Sequence, residues 1–178
     1  MYKHFLLTIF LFSSFAVTAQ TTDPFIADVL SKWKGMKSYT LAVAELMPES
    51  NYAYKPVPEE FSFAEQQMHI AGNLYALSAK LIRGVEPPFS GKQLMEKVKQ
   101  GASKKELIET LGKAFDYAEE TFAQMTAKTL AEEIDYWGGH SAKRKIVLLL
   151  NDHQTHHRAQ MIVYLRLNGI KPPAYIGW

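Results

Sequence analysis

The segment "LLLNDHQTHHRAQMIVYLRLNGIKPP", Leu148–Pro173, reads as one long helix with a marked end. Apolar residues recur at helical steps through Leu149, Met161 and Leu165; Gly169 suits a C-cap, and Pro172-Pro173 stops the helix. The same column holds His153 and His157, spaced i and i+4 and so stacked on one face. Histidines on an apolar stripe need partners, because neutral rings require hydrogen bonds and two charged rings repel. Either polar groups across the interior satisfy them, or a divalent cation takes a lone pair from each ring. The spacing alone leaves both readings open. His156 lies about a hundred degrees around the helix from His157, at the surface or behind the ligand pair.

Working outward from this segment, the chain carries start signals for further helices. Asp23-Pro24 pairs an N-cap with a favoured first helical residue. The stripe Phe25, Val29, Trp33, Met36, Tyr39/Thr40, Val43 and Met47 follows, and Pro48 ends it. Ser62-Phe63-Ala64-Glu65 is a capping box that opens a second helix running to about Arg83, where "GVEPPFSGK" breaks the pattern. Ser103-Lys104-Lys105-Glu106 is another capping box, with Leu107, Leu111, Ala114/Phe115, Ala118, Phe122 and Met125 along one side. The fourth helix starts near Ser141, after "YWGGH", whose Gly pair reads as a loop. No strand pattern stands out. The expected fold is all-α, a four-helix bundle over residues 20–178. The long loops after the first and second helices leave the connection order open.

The first residues differ from the rest. In "MYKHFLLTIFLFSSFAVTAQ" a short basic start precedes an apolar run, and Val17-Thr18-Ala19 offers a cleavage site. Residues 1–19 are expected to be a secretory signal peptide, with an uncleaved N-terminal anchor as the alternative; the run is short for a bilayer span, and no membrane segment is expected to survive cleavage. Without Lys3 the balance is 19 basic against 18 acidic residues, with no charge run, which argues against nucleic acid as a partner. The chain has no cysteine, which excludes disulfides, thiolate ligands and a cysteine nucleophile. Any metal must use His, Asp, Glu or water.

A catalytic metal commonly has three protein ligands and an open position, so His153 and His157 need a third partner. The candidates are His69, His140, Glu65 and Asp152. His69 stands at the edge of its helix's apolar stripe, which permits an inward direction without requiring it. Two familiar motifs do not fit. Gln154 stands where a zincin helix has Glu, and "EQQMH" has one residue too many for the Glu-x-x-His of a carboxylate-bridged di-iron bundle. Glu65 could hold the second nitrogen of His69, although its capping role already accounts for it. Tyr75, Tyr136, Trp137 and Tyr164 are aromatics that could line a pocket or fill the core.

The segment "ESNYAYKPVPEEFSFAEQQMHIAGNLYAL", taken with "LLLNDHQTHHRAQMIVYLRLNGIKPPAY", resembles the DinB/YfiT-like superfamily over nearly the whole chain after the signal. The resemblance implies a four-helix bundle of unusual connectivity, with a divalent metal held by one histidine of the second helix and two of the last. Carried over by position, the ligands are His69, His153 and His157, and Arg158 and Gln160 match the Arg and Gln of the motif. Ala159 replaces a common Gly and Phe61 a common Trp, both outside the ligand set. Zinc or nickel suits three imidazoles. The resemblance also implies transfer or isomerisation reactions with a small thiol, metal-dependent hydrolysis, or metal binding without catalysis, and homodimers are common among such proteins. An exported protein leaves the reduced thiol pool behind, which favours hydrolysis of an unidentified small molecule by metal-activated water.

Overall fold

A computed structural model describes residues 23–178, and the expected signal peptide, residues 1–19, lies outside them. Asp23 caps the first helix, α1 (Pro24–Leu46), where its Oδ1 accepts the Phe25 N–H at 2.9 Å. Trp33, Met36, Tyr39, Thr40 and Val43 of the expected stripe are buried; Ile26, outside that stripe, is buried as well, while Phe25 and Val29 pack only at the margin. Ser62 starts α2 (Phe63–Ala76): its Oγ accepts the Glu65 N–H at 3.2 Å, and Glu65 Oε2 accepts the Ser62 N–H at 2.7 Å. The helix continues as a π-helical stretch, Leu77–Arg83, and stops at Gly84, whose φ of 70° favours glycine.

Two elements depart from the sequence reading. Inside "GVEPPFSGK" a short helix begins, α3 (Gly91–Lys99), capped by a reciprocal Ser90–Gln93 pair. Its signal is the Ser-x-x-Gln form of the capping box, which a search for Ser-x-x-Glu passes over. After α4 (Lys104–Ala123) and the single turn α5 (Ala127–Ala131), the "YWGGH" segment is a hairpin and not a plain loop. Its strands are β1 (Glu133–Tyr136) and β2 (Gly139–Ala142), joined by Trp137-Gly138. The strands are too short for alternation to show. Pairing in β2 also moves the last helix, α6 (Lys143–Leu167), two residues past Ser141. Its first residue donates Lys143 N–H to the Glu132 carbonyl at 2.9 Å, in place of a side-chain cap.

The bundle consists of α1, α2, α4 and α6. Helix α4 packs on both α1 and α2, and α6 packs on both from the other side. α1 and α2 are therefore diagonal partners, and the linker between them crosses one end of the bundle. Tyr52 anchors that crossing, donating its hydroxyl to the Ala44 carbonyl at 2.9 Å. Trp33 sits at the α1–α4 seam, edge-on to Phe122, with its indole N–H donated to the Phe115 carbonyl at 3.1 Å. Among the described residues, no helix is long and apolar enough to cross a membrane.

The C-terminal residues run back over α1. A Cβ at Gly35 would lie 2.9 Å from the Trp178 backbone carbon and 3.2 Å from Ile176 Cγ2. Gly35 thus gives up about 1 kcal/mol of helix propensity to admit this segment. Gly35→Ala is expected to displace it and to forfeit the propensity gain, read as faster amide exchange at 174–178 with no rise in Tm. A rise of several degrees with unchanged exchange would refute the packing account.

Candidate metal centre

The antiparallel contact of α2 with α6 brings His69, His153 and His157 together. One potential ligand atom from each lies within 4.8 Å of the other two. His69 Nε2 and His153 Nε2 are 3.1 Å apart. Two nitrogens bound to one cation at about 2.0–2.1 Å are separated by roughly 2.9 Å at a right angle and 3.4 Å at a tetrahedral angle. The donor set therefore fits a divalent metal.

The electrostatics agree with that fit. Burial, followed by the neighbouring imidazoles, holds His157 down to about 3 and His153 down to about 4. Burial lowers His69 as well, with His156 nearby. All three rings are neutral at pH 7, so their lone pairs are available. His157 is buried, whereas His69 and His153 are half-buried, so the group faces outward on one side. The exposed ring of Phe61 lies over His69, with centroids 5.1 Å apart.

The other sequence candidates are elsewhere or have other work. His140 is on β2, exposed, with Nδ1 2.7 Å from its cross-strand partner Asp135. Glu65 is committed to the cap and to Lys55 at 3.0 Å. Asp152 is exposed on α6. His156 is exposed, 3.0 Å from the Gln160 amide. Arg158 is buried and turned toward α1, donating to Gln154 at 2.9 Å and lying over the Tyr39 ring. It joins α6 to α1 and does not reach the histidines. Tyr75 packs against Phe89 and Tyr117, Tyr136 and Trp137 sit at the hairpin, and only Tyr164 approaches the centre.

Two side chains went unnoticed in the sequence. Gln66 is fully buried, with Oε1 2.6 Å from His157 Nδ1. Asn73, one turn beyond His69, places its amide nitrogen 3.3 Å from His69 Nε2. A signal for Gln66 was present: an amide three residues before a histidine on a buried face must find a partner. A surface cleft of about 450 Å³ between the linker and the α3–α4 turn contains none of the three histidines.

A four-helix bundle with diagonal first and second helices, and a three-histidine group between the second and last, defines the class of protein. The chain belongs to the DinB family, whose sequence pattern matches residues 17–177. It is 27% identical over 147 residues to YjoA of Bacillus subtilis strain 168, covering 79% of this chain and 89% of that one. The crystal structure of that DinB-like protein superposes with a TM-score of 0.67 at 22% identity, over 84% of this chain and 97% of the other. A DinB-like protein from Bacillus cereus ATCC 10987 gives 0.69 at 19% identity, with the same coverage of 84% and 97%. A mycothiol-dependent maleylpyruvate isomerase shares the fold at 0.62 and 13% identity, over 76% of this chain and 60% of its own.

Proposed function

We propose that this chain is an exported, metal-dependent hydrolase that holds zinc or nickel on His69, His153 and His157. The observation that supports this reading is the convergence of three neutral imidazoles with two of them open on one side. When bound, the cation supplies Lewis acidity and lowers the pKa of water toward about 7 in the zinc case. His157, buried, anchors the group, while His69 and His153 leave their outer edges to solvent. Phe61 offers an apolar contact for a substrate beside His69, and the Asn73 amide offers a hydrogen-bond donor. A small ester or amide with an apolar substituent suits that rim. Export draws on the apolar leader at residues 5–17 and on Val17-Thr18-Ala19.

The second reading is a thiol-dependent transferase or isomerase, favoured by the likeness in fold to the mycothiol-dependent isomerase. The third is a metal-binding module without catalysis. The separating experiment uses residues 20–178 without a histidine tag. Metal is quantified by mass spectrometry, and esters, amides and thiol-conjugation pairs are screened with and without chelator. The hydrolase reading expects one metal per chain and ester or amide turnover that chelation removes and zinc or nickel restores. Turnover only with a thiol co-substrate overturns it in favour of the second reading; metal without turnover favours the third.

A further inference from the structure

The hydrogen bonds around Gln66 have a single consistent direction. The Tyr164 hydroxyl lies 3.0 Å from the Phe61 carbonyl oxygen, which can only accept, so the hydroxyl proton points there. Toward Gln66, 3.2 Å away, Tyr164 must then accept, and the Gln66 NH2 must face it. The second hydrogen of that NH2 goes to Gln160 Oε1. Gln66 Oε1 is left facing His157 Nδ1 at 2.6 Å, so Nδ1 must carry a proton. A neutral imidazole protonated at Nδ1 has its lone pair on Nε2. The Gln160 branch cannot set this direction, because Gln160 and the His156 beyond it can reverse together. The backbone carbonyl of Phe61 can only accept, and it sets the polarity of the whole chain of bonds.

We propose that Gln66 is the positioning residue of the histidine centre, locking His157 in the Nδ1–H tautomer with Nε2 presented to the metal. The proposal rests on the metal-binding reading above. The Gln66 amide is fully buried, and both its N–H groups and its oxygen have partners, so the ring is preset before any metal arrives. Reversing the amide would set an N–H against Nδ1 and protonate Nε2, which removes the ligand. Polar partners one shell out from a metal commonly act this way, and their loss typically costs about 10–100-fold in affinity.

The test has one arm that needs no metal. In metal-free wild type, long-range proton–nitrogen NMR is expected to show His157 as the Nδ1–H tautomer alone. Tyr164→Phe frees the amide to reverse with Gln160 and is expected to give a tautomer mixture. In zinc titrations against a chromophoric chelator, Gln66→Leu is expected to weaken binding about 10–100-fold. Gln66→Glu, which still accepts from Nδ1–H, is expected to stay within about threefold of wild type. An Nε2–H or mixed tautomer in wild type overturns the proposal, as does zinc affinity in Gln66→Leu within about twofold of wild type. Should Gln66→Leu fail to fold, Tyr164→Phe decides the relay: an unmixed Nδ1–H tautomer in that variant overturns it. If wild type binds no zinc, the metal reading fails, while the tautomer measurement still decides the role of Gln66.

Discussion

His157→Ala is expected to abolish stoichiometric metal binding, whereas His140→Ala leaves it unchanged. Three imidazoles form the group, and His157 is the buried one. Its removal leaves two half-buried histidines, too few to compete with water for zinc or nickel, and strands Gln66 Oε1 without its donor. Removing His69 or His153 is expected to weaken binding by at least about tenfold, because the two remaining ligands keep a preset Nε2 on His157. His140 pairs with Asp135 on the exposed hairpin and has no route to the centre. Metal content by mass spectrometry on untagged protein checks the ranking. Full occupancy in His157→Ala would show that the metal is bound elsewhere.

How much of this was legible in the sequence depended on the range of the signal. Capping boxes and apolar periods are local, so α1, α2 and α4 began where Asp23, Ser62 and Ser103 indicated. The spacing of His153 and His157 was also local, and it set both on one face of α6. His69 could not be placed by period, because the edge of a stripe faces inward or outward according to the neighbour that packs there. Only the α2–α6 contact, across 84 residues of chain, settles its direction. The resemblance anticipated that contact through the motif. Neither source showed Gln66, whose role depends on the Phe61 carbonyl and the Tyr164 hydroxyl, far apart in sequence. The hairpin escaped for another reason: four-residue strands that end in a Gly turn carry almost no period. Arg158 was read as part of the ligand motif; its burial against Tyr39 makes it a strut between helices.

The metal-free protein is expected to lose about 2 kcal/mol of stability between pH 7 and pH 5. The sign follows from the histidines. Folding holds His153 at about 4 and His157 at about 3, against an ordinary 6.5 in the unfolded chain. Below 6.5 the unfolded state takes up protons that the folded state refuses, so unfolding gains with each step toward acid, and the loss levels off below the folded values. Undamped, each group would contribute about 1.4 kcal/mol per pH unit; the half-open site and the repulsion shared between rings reduce that. Carboxylates act lower. Hydrogen bonds from Ser103 and Lys143 hold Glu106 and Glu132 below the ordinary 4.5, so their share is lost beneath that pH. His140 works in the opposite sense, since its bond to Asp135 raises it and its contribution fades as pH rises. Denaturant titrations at pH 7, 6 and 5 isolate the histidine window, and His153→Gln, which cannot be protonated, is expected to flatten the slope. Added zinc is expected to raise stability by a similar amount from pH 7 to pH 5, because His153 and His157 in the folded state hold almost no proton for the metal to displace in that window. A stability that is level from pH 7 to pH 5, and unaltered by His153→Gln, would mean that the rings are not held neutral, and the electrostatic half of the metal argument would go with it.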